Sequence, residues 1–192
     1  MKKLFFIRHG YAIHNQLFHQ IGKSAYNIRD TQLLYEGVVQ AKNLSKNWKE
    51  LSSIELVICS PSIRTLDTAL LTFQNSPLKI TAKDFLLEYP QGSEECSRRK
   101  DIEDLNVLYP QVDFSDIDNN VLPWRGKKET IAELDSRINQ MINWIKQREE
   151  KNIAIVSHSS FIGHYKDGLI GDEQNELKHC YPYQINLVDS NS

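Results

Sequence analysis

The chain has 192 residues, 40% of them hydrophobic and 25% charged, enough to bury a core in one domain. Its 23 Lys and Arg nearly balance 25 Asp and Glu, a net charge of -2, so no overall field draws it to nucleic acid or to an acidic membrane surface, and any anion site must be local. Cys59, Cys96 and Cys180 contain no C-x-x-C pair, and their odd number argues against a disulfide framework or a cysteine zinc site; the expected setting is reducing and cytoplasmic.

The first element is "LFFI" (4–7). Its apolar run, four residues before Arg8, is shorter than the apolar region of a signal peptide or a membrane span, and it reads as a buried strand. Residues 11–35 read as a loop. In 36–51, Ala41, Leu44, Trp48 and Leu51 recur at helical steps and predict a helix with one face on a sheet. "LVIC" (56–59) is a second strand, 62–74 a helix directly after it, and "LKITA" (78–82) a weaker strand. Segment 89–128, with Pro90, Pro110 and Pro123, predicts an insertion with a short helix near 101–109 and a loop at "FSDIDNN". In 129–149 the stripe Ile131, Leu134, Ile138, Met141, Ile142 and Ile145 predicts a helix, opened by Thr130 and Glu133 at capping-box spacing. The strands "IAIV" (153–156) and "YQINLV" (183–188) close the chain.

Continuous rather than alternating apolar runs fit strands covered on both faces. Strands alternating with helices then predict a three-layer α/β/α sandwich, a mainly parallel central sheet in a single domain 1–192, with the insertion 89–128 as a lobe over the C-terminal strand edge. Ligands of such sheets collect at the carboxyl ends of the strands. After the predicted strands come Arg8, His9 and Gly10, then Ser60 and Arg64, then Glu88, then Ser157, His158 and Ser159. Two arginines match the oxygens of a phosphate, a neutral histidine can attack phosphorus, and a glutamate kept protonated by burial can give a proton to the departing oxygen. Arg64 stands in the first turn of its helix, where the macrodipole disfavours a cation unless an anion is bound there.

These motifs resemble the histidine phosphatase superfamily, the phosphoglycerate mutase-like fold: R-H-G at 8–10, "SPSIRTLDTA" with Arg64, "LLEYPQG" with Glu88 and "VSHSSF" with His158. "RHGYAIHN", "CSRRKDIEDL", "YPQVDFSDID" followed by Trp124, and "REEKNIAIVSHSSF" are similar to the phosphoglycerate mutase-like proteins of plants and fungi. The resemblance implies that His9 is the phosphorylated nucleophile. Arg8, Arg64 and His158 would grip the phosphoryl group, and Glu88 would be the general acid and then the base. It also implies that Asn15, Arg98, Arg99 and Ser159 contact the substrate and that no metal or other cofactor is needed, since the arginines and His158 supply positive charge. His14 matches the narrower group without an assigned step. Two departures from the pattern are Tyr11, where many members carry an acid, and Ser159, where a glycine often follows the second histidine.

The function so implied is a metal-independent phosphatase of small phosphorylated metabolites, with no nucleic-acid or membrane partner. The alternatives are a phosphoglycerate-type mutase on the same phosphohistidine and a non-catalytic phosphate-binding module. Specificity is expected from residues 89–128 and from the loop 11–35, with Tyr26 and Arg29 bordering the pocket mouth.

Overall fold

The computed structural model describes residues 1–117, 126–170 and 175–188. Trp124 and Pro123 lie outside them. Six strands form one sheet in the order β4-β3-β2-β5-β1-β6: β1 (Lys2–Arg8), β2 (Leu56–Cys59), β3 (Ile80–Ala82), β4 (Val112–Asp113), β5 (Asn152–Ser157) and β6 (Pro182–Leu187). All neighbours are parallel except β6, which runs antiparallel to β1 at the edge. The helices are α1 (Ile13–Ile21), α2 (Tyr35–Asn47), α3 (Ile63–Thr72), α4 (Ile102–Leu108), α5 (Ile131–Lys146) and α6 (Ser159–Asp167).

The apolar runs make two cores because strand side chains alternate between faces. Phe5, Ile7, Val57, Cys59, Ala154 and Val156 pack with Leu44 of α2, Leu66 of α3 and Leu105 of α4. Leu4, Phe6, Ile58, Ile153 and Ile155 pack on the other face with Leu134, Ile138 and Met141 of α5 and Phe161 of α6. Connections β1 to β4 step outward and lay their helices on one face. The chain then reverses, inserting β5 between β2 and β1, and right-handed crossover places α5 on the opposite face. The expected three-layer sandwich is present. Among the described residues no helix is long and apolar enough to cross a membrane.

Two local readings differ. The loop 11–35 contains α1 and a 3₁₀ turn at Gly22–Asn27; α1 faces a polar cavity through His14 rather than the core, so it lacks a long apolar stripe. The segment 89–128 is not wholly a lobe, since α4 and β4 complete the sheet edge and bury Leu105, Val112 and Phe114 in the main core. Gly10 is required by helix packing: a Cβ there would stand 2.6 Å from the backbone oxygen of Gly37 in α2, so two glycines let strand end and helix touch. The last strand shows the half-exposed alternation of an edge.

The predicted cap of α5 forms as a reciprocal pair: the Glu133 N–H donates to Thr130 Oγ1 at 3.3 Å and the Thr130 N–H to Glu133 Oε2 at 2.8 Å.

Candidate active site

Register alone brings the histidines together. Arg8 lies opposite Ser157 in the β1–β5 ladder, and the His9 N–H donates to the Ser157 carbonyl at 3.0 Å. The next residues on both strands are therefore neighbours, and the rings of His9 and His158 have centroids 5.3 Å apart. Strand β2, on the other side of β5, delivers Ser60 and the start of α3, and so Arg64. Glu88 follows β3, and the Ser157 hydroxyl ties that segment to β5 by donating to the Leu86 carbonyl at 2.7 Å.

These elements surround a cavity of about 430 Å³, walled at its base by Arg8, His9, Arg64 and Glu88. His9 is only 2% exposed. Its Nδ1 lies 2.8 Å from the Gly10 carbonyl, which can only accept, so Nδ1 carries the hydrogen and Nε2 keeps its lone pair. Burial first, and then the charge of Arg64, holds the His9 pKa well below the usual 6.5, so the ring is neutral.

Glu88 is at the N-terminus of α6. Its Oε1 accepts from the Tyr89 N–H at 2.8 Å and the Phe161 N–H at 3.1 Å, while Oε2 has only a 3.4 Å contact from the Ser160 N–H. Oε2 is thus the oxygen with room for a proton. Burial raises the pKa of Glu88 above 4.5, and the backbone donors and Arg64 oppose that rise.

Both arginines are buried. Arg8 Nη1 donates to the Leu177 carbonyl at 2.6 Å and its Nη2 pairs with Glu176. Arg64 Nη1 donates to the Cys96 carbonyl at 2.9 Å and lies 3.9 Å from Asp30. The Nε–H of each has no acceptor among the described residues, although a buried unmet donor costs about 1–3 kcal/mol. The cost of a cation in the first turn of α3 is met in part by Asp30, a buried carboxylate that also accepts from the Ile63 N–H at 2.9 Å.

The fold thus gathers Arg8, His9, Arg64 and Glu88 around one cavity, and comparison with known proteins gives the family. A profile of the histidine phosphatase superfamily (branch 1) matches residues 4–188. The chain belongs to this superfamily. Phosphoglycerate mutase-like protein 1 of Arabidopsis thaliana is 32% identical over 215 residues, spanning 94% of this chain and 74% of the relative. Among solved structures, the alpha-ribazole phosphatase of Shigella flexneri superposes with a TM-score of 0.64 at 22% identity, covering 97% of this chain and 91% of that one. The phosphoserine phosphatase of Entamoeba histolytica, in complex with 3-phosphoglyceric acid, superposes with a TM-score of 0.61 at 22% identity, covering 100% and 98%. These two likenesses establish a common fold.

In this histidine phosphatase superfamily member the remaining predicted residues divide. Asn15 lines the cavity, with its Oδ1 accepting from the Ala12 N–H at 3.0 Å, so the amide nitrogen is what it offers a ligand. Ser159 also lines it, and its hydroxyl accepts from the Leu177 N–H at 3.2 Å. His158 is buried and is not among the residues that line the cavity. Its Nδ1 accepts from Arg64 Nη2 at 3.2 Å and its Nε2–H donates to the Ser60 hydroxyl at 2.8 Å, which positions Arg64.

Arg98 and Arg99 are not on the cavity wall. The 3₁₀ turn Glu95–Ser97 presents Cys96 and Ser97 to the cavity and carries Arg98 to an ion pair with Glu95 at 3.6 Å. Arg99 is bidentate to Asp84, at 2.7 and 3.0 Å, and donates to the Lys100 carbonyl at 2.9 Å. We expect Arg99→Ala to cost about 2–3 kcal/mol in urea unfolding, because it strands a half-buried carboxylate, and to leave KM for a small aryl phosphate unchanged. A KM rise at unaltered stability would return Arg99 to the substrate site. Tyr26 does border the cavity; Arg29 instead donates to the Arg99 carbonyl at 2.8 Å.

His179, Glu176 and Arg137 were missed, and His14 was noted without a role. His179 Nδ1 donates to the His9 carbonyl at 2.6 Å, and its ring lies 5.6 Å from that of His9. His14 lines the cavity, its ring also 5.6 Å from that of His9, with Nδ1 2.6 Å from the Thr31 hydroxyl. Burial lowers the pKa of both, that of His179 to about 4. Arg137 of α5 donates to the Phe85 and Leu87 carbonyls at 3.0 and 2.8 Å and pairs with Glu129, bracing the segment that carries Glu88.

Proposed function

We propose that the protein is a phosphomonoesterase acting on a small phosphorylated metabolite through a phosphohistidine at His9. The observation that carries this is the tautomer of His9: Nδ1–H is bound to the Gly10 carbonyl, so the Nε2 lone pair remains, in a cavity floor shared with two buried arginines and Glu88. Membership of the superfamily supports the same reading.

In the first step the Nε2 lone pair forms a bond to phosphorus while the ester P–O bond breaks, and the departing oxygen takes the proton from Glu88. In the second, water attacks phosphorus, Glu88 accepts its proton, and the P–N bond returns its electrons to the ring. Arg8 and Arg64 neutralise the phosphoryl oxygens in both steps, the part that a metal ion plays in other phosphoryl transfers.

The test is phosphate release from an aryl phosphate in the presence of EDTA, with and without an added alcohol acceptor. Chelator-resistant release of inorganic phosphate is expected. Transfer to the alcohol with no free phosphate would favour a mutase, and tight phosphate binding with no turnover would favour a non-catalytic binding module.

A further inference from the structure

Three carboxylates line the cavity: Glu88, Glu94 and Glu176. Two are accounted for. Glu88 is held by backbone N–H groups at the start of α6, and Glu176 is paired with Arg8. The side chain of Glu94 has neither a hydrogen bond nor an ion pair among the described residues, although it is half-buried in the wall. Lys23 and Lys128 line the same cavity, and their charges act on Glu94 without either forming an ion pair with it. Burial and the nearby Glu88 push Glu94 towards its neutral form, and the two lysines oppose them without reversing the shift. A partly desolvated carboxylate beside another is unfavourable unless a cation joins it.

The surroundings fit a small organic cation. Phe18 and Tyr26 stack with centroids 5.3 Å apart and planes 16° from parallel, and both line the cavity. Tyr26 is close enough for the charge of Glu94 to raise its pKa, after burial the largest contribution, to about 12, so its phenol stays neutral. Aromatic faces beside a carboxylate are favourable surroundings for an alkylammonium. Phosphate donors are at the floor, so one molecule in the cavity would set its phosphoryl group there and its cation against Glu94.

Building on the phosphomonoesterase reading, we infer that the substrate bears a protonated amino group and that Glu94 is the residue that binds it. The ammonium could belong to a phosphorylated amino alcohol or to a phosphorylated amino acid, whose carboxylate Lys23 and Lys128 would receive.

The test compares 2-aminoethyl phosphate with propyl phosphate, which has the same number of heavy atoms and no charge at its far end. We expect kcat/KM to favour the amine by about tenfold or more, the scale of one charged hydrogen bond, and Glu94→Gln to reduce that ratio to near one. Phosphoserine run alongside identifies the source: faster turnover than 2-aminoethyl phosphate marks an amino acid, and slower turnover an amino alcohol. A wild-type ratio near one, or a ratio unchanged by Glu94→Gln, overturns the inference and leaves the phosphomonoesterase reading standing if aryl phosphate is hydrolysed. Calorimetry of 2-aminoethyl phosphate on His9→Ala tests the ammonium site without turnover. Binding that weakens about tenfold when Glu94→Gln is added supports the site even if the wild type hydrolyses no ester, and unchanged binding refutes it.

Discussion

Alanine at position 9 is expected to lower kcat for any phosphate ester by about 10⁴-fold or more, the scale seen when a covalent nucleophile is removed. Folding should change little, since the ring of His9 makes its hydrogen bond to the neighbouring Gly10 carbonyl and belongs to neither apolar core. Phosphate should still bind His9→Ala, because Arg8 and Arg64 stay in place. A variant retaining more than about a hundredth of the activity would place the nucleophile elsewhere, given the effect sizes of such substitutions. The obvious alternative would be His14, the other histidine lining the cavity close to His9.

Glu88→Gln should have an effect that depends on the leaving group. An alkoxide must be protonated as it departs, so hydrolysis of an alkyl phosphate should fall by about 10²–10⁴-fold, the usual contribution of a general acid. A nitrophenolate leaves without help, and hydrolysis of its ester should fall far less. The sign of the pH dependence follows from the two shifts. The pKa of His9 lies well below 6.5, so the ring is already neutral in mildly acidic solution and the rising limb is displaced to low pH. The pKa of Glu88 is raised above 4.5, so its acid form persists to higher pH and kcat/KM for an alkyl ester falls as that proton is lost. Glu88→Gln should abolish the descending limb. Equal losses on both esters, with the limb intact, would remove Glu88 from the proton-donor role.

Much of this arrangement is legible in the sequence because its parts sit at strand ends. An apolar run that stops at Arg8-His9, another that stops at His158, and an arginine just beyond a third mark side chains that a parallel sheet must gather along one edge. What escaped has no local sign. His179 and Glu176 enter from the segment leading to β6, and only the fold carries that segment beside Arg8 and His9. Arg137 looks like any charged residue on the outer side of an amphipathic helix, yet it reaches the carbonyls that place Glu88.

Arg99 was misread for the converse reason. An arginine pair near a site looks available to an anion until its partner is known, and Asp84, fifteen residues earlier, had already engaged it. His158 illustrates a subtler limit. Its position could be read from the sequence, whereas its role in holding Arg64 depends on which ring nitrogen faces the guanidinium.

The most direct measurement is to quench the enzyme during turnover of a phosphorus-labelled ester and map the label. A phosphoenzyme that is labile to acid, stable to base and located on the peptide containing His9 is the predicted result. Label on a different residue, or turnover with none trapped under conditions that catch known phosphohistidines, would contradict a covalent path through His9.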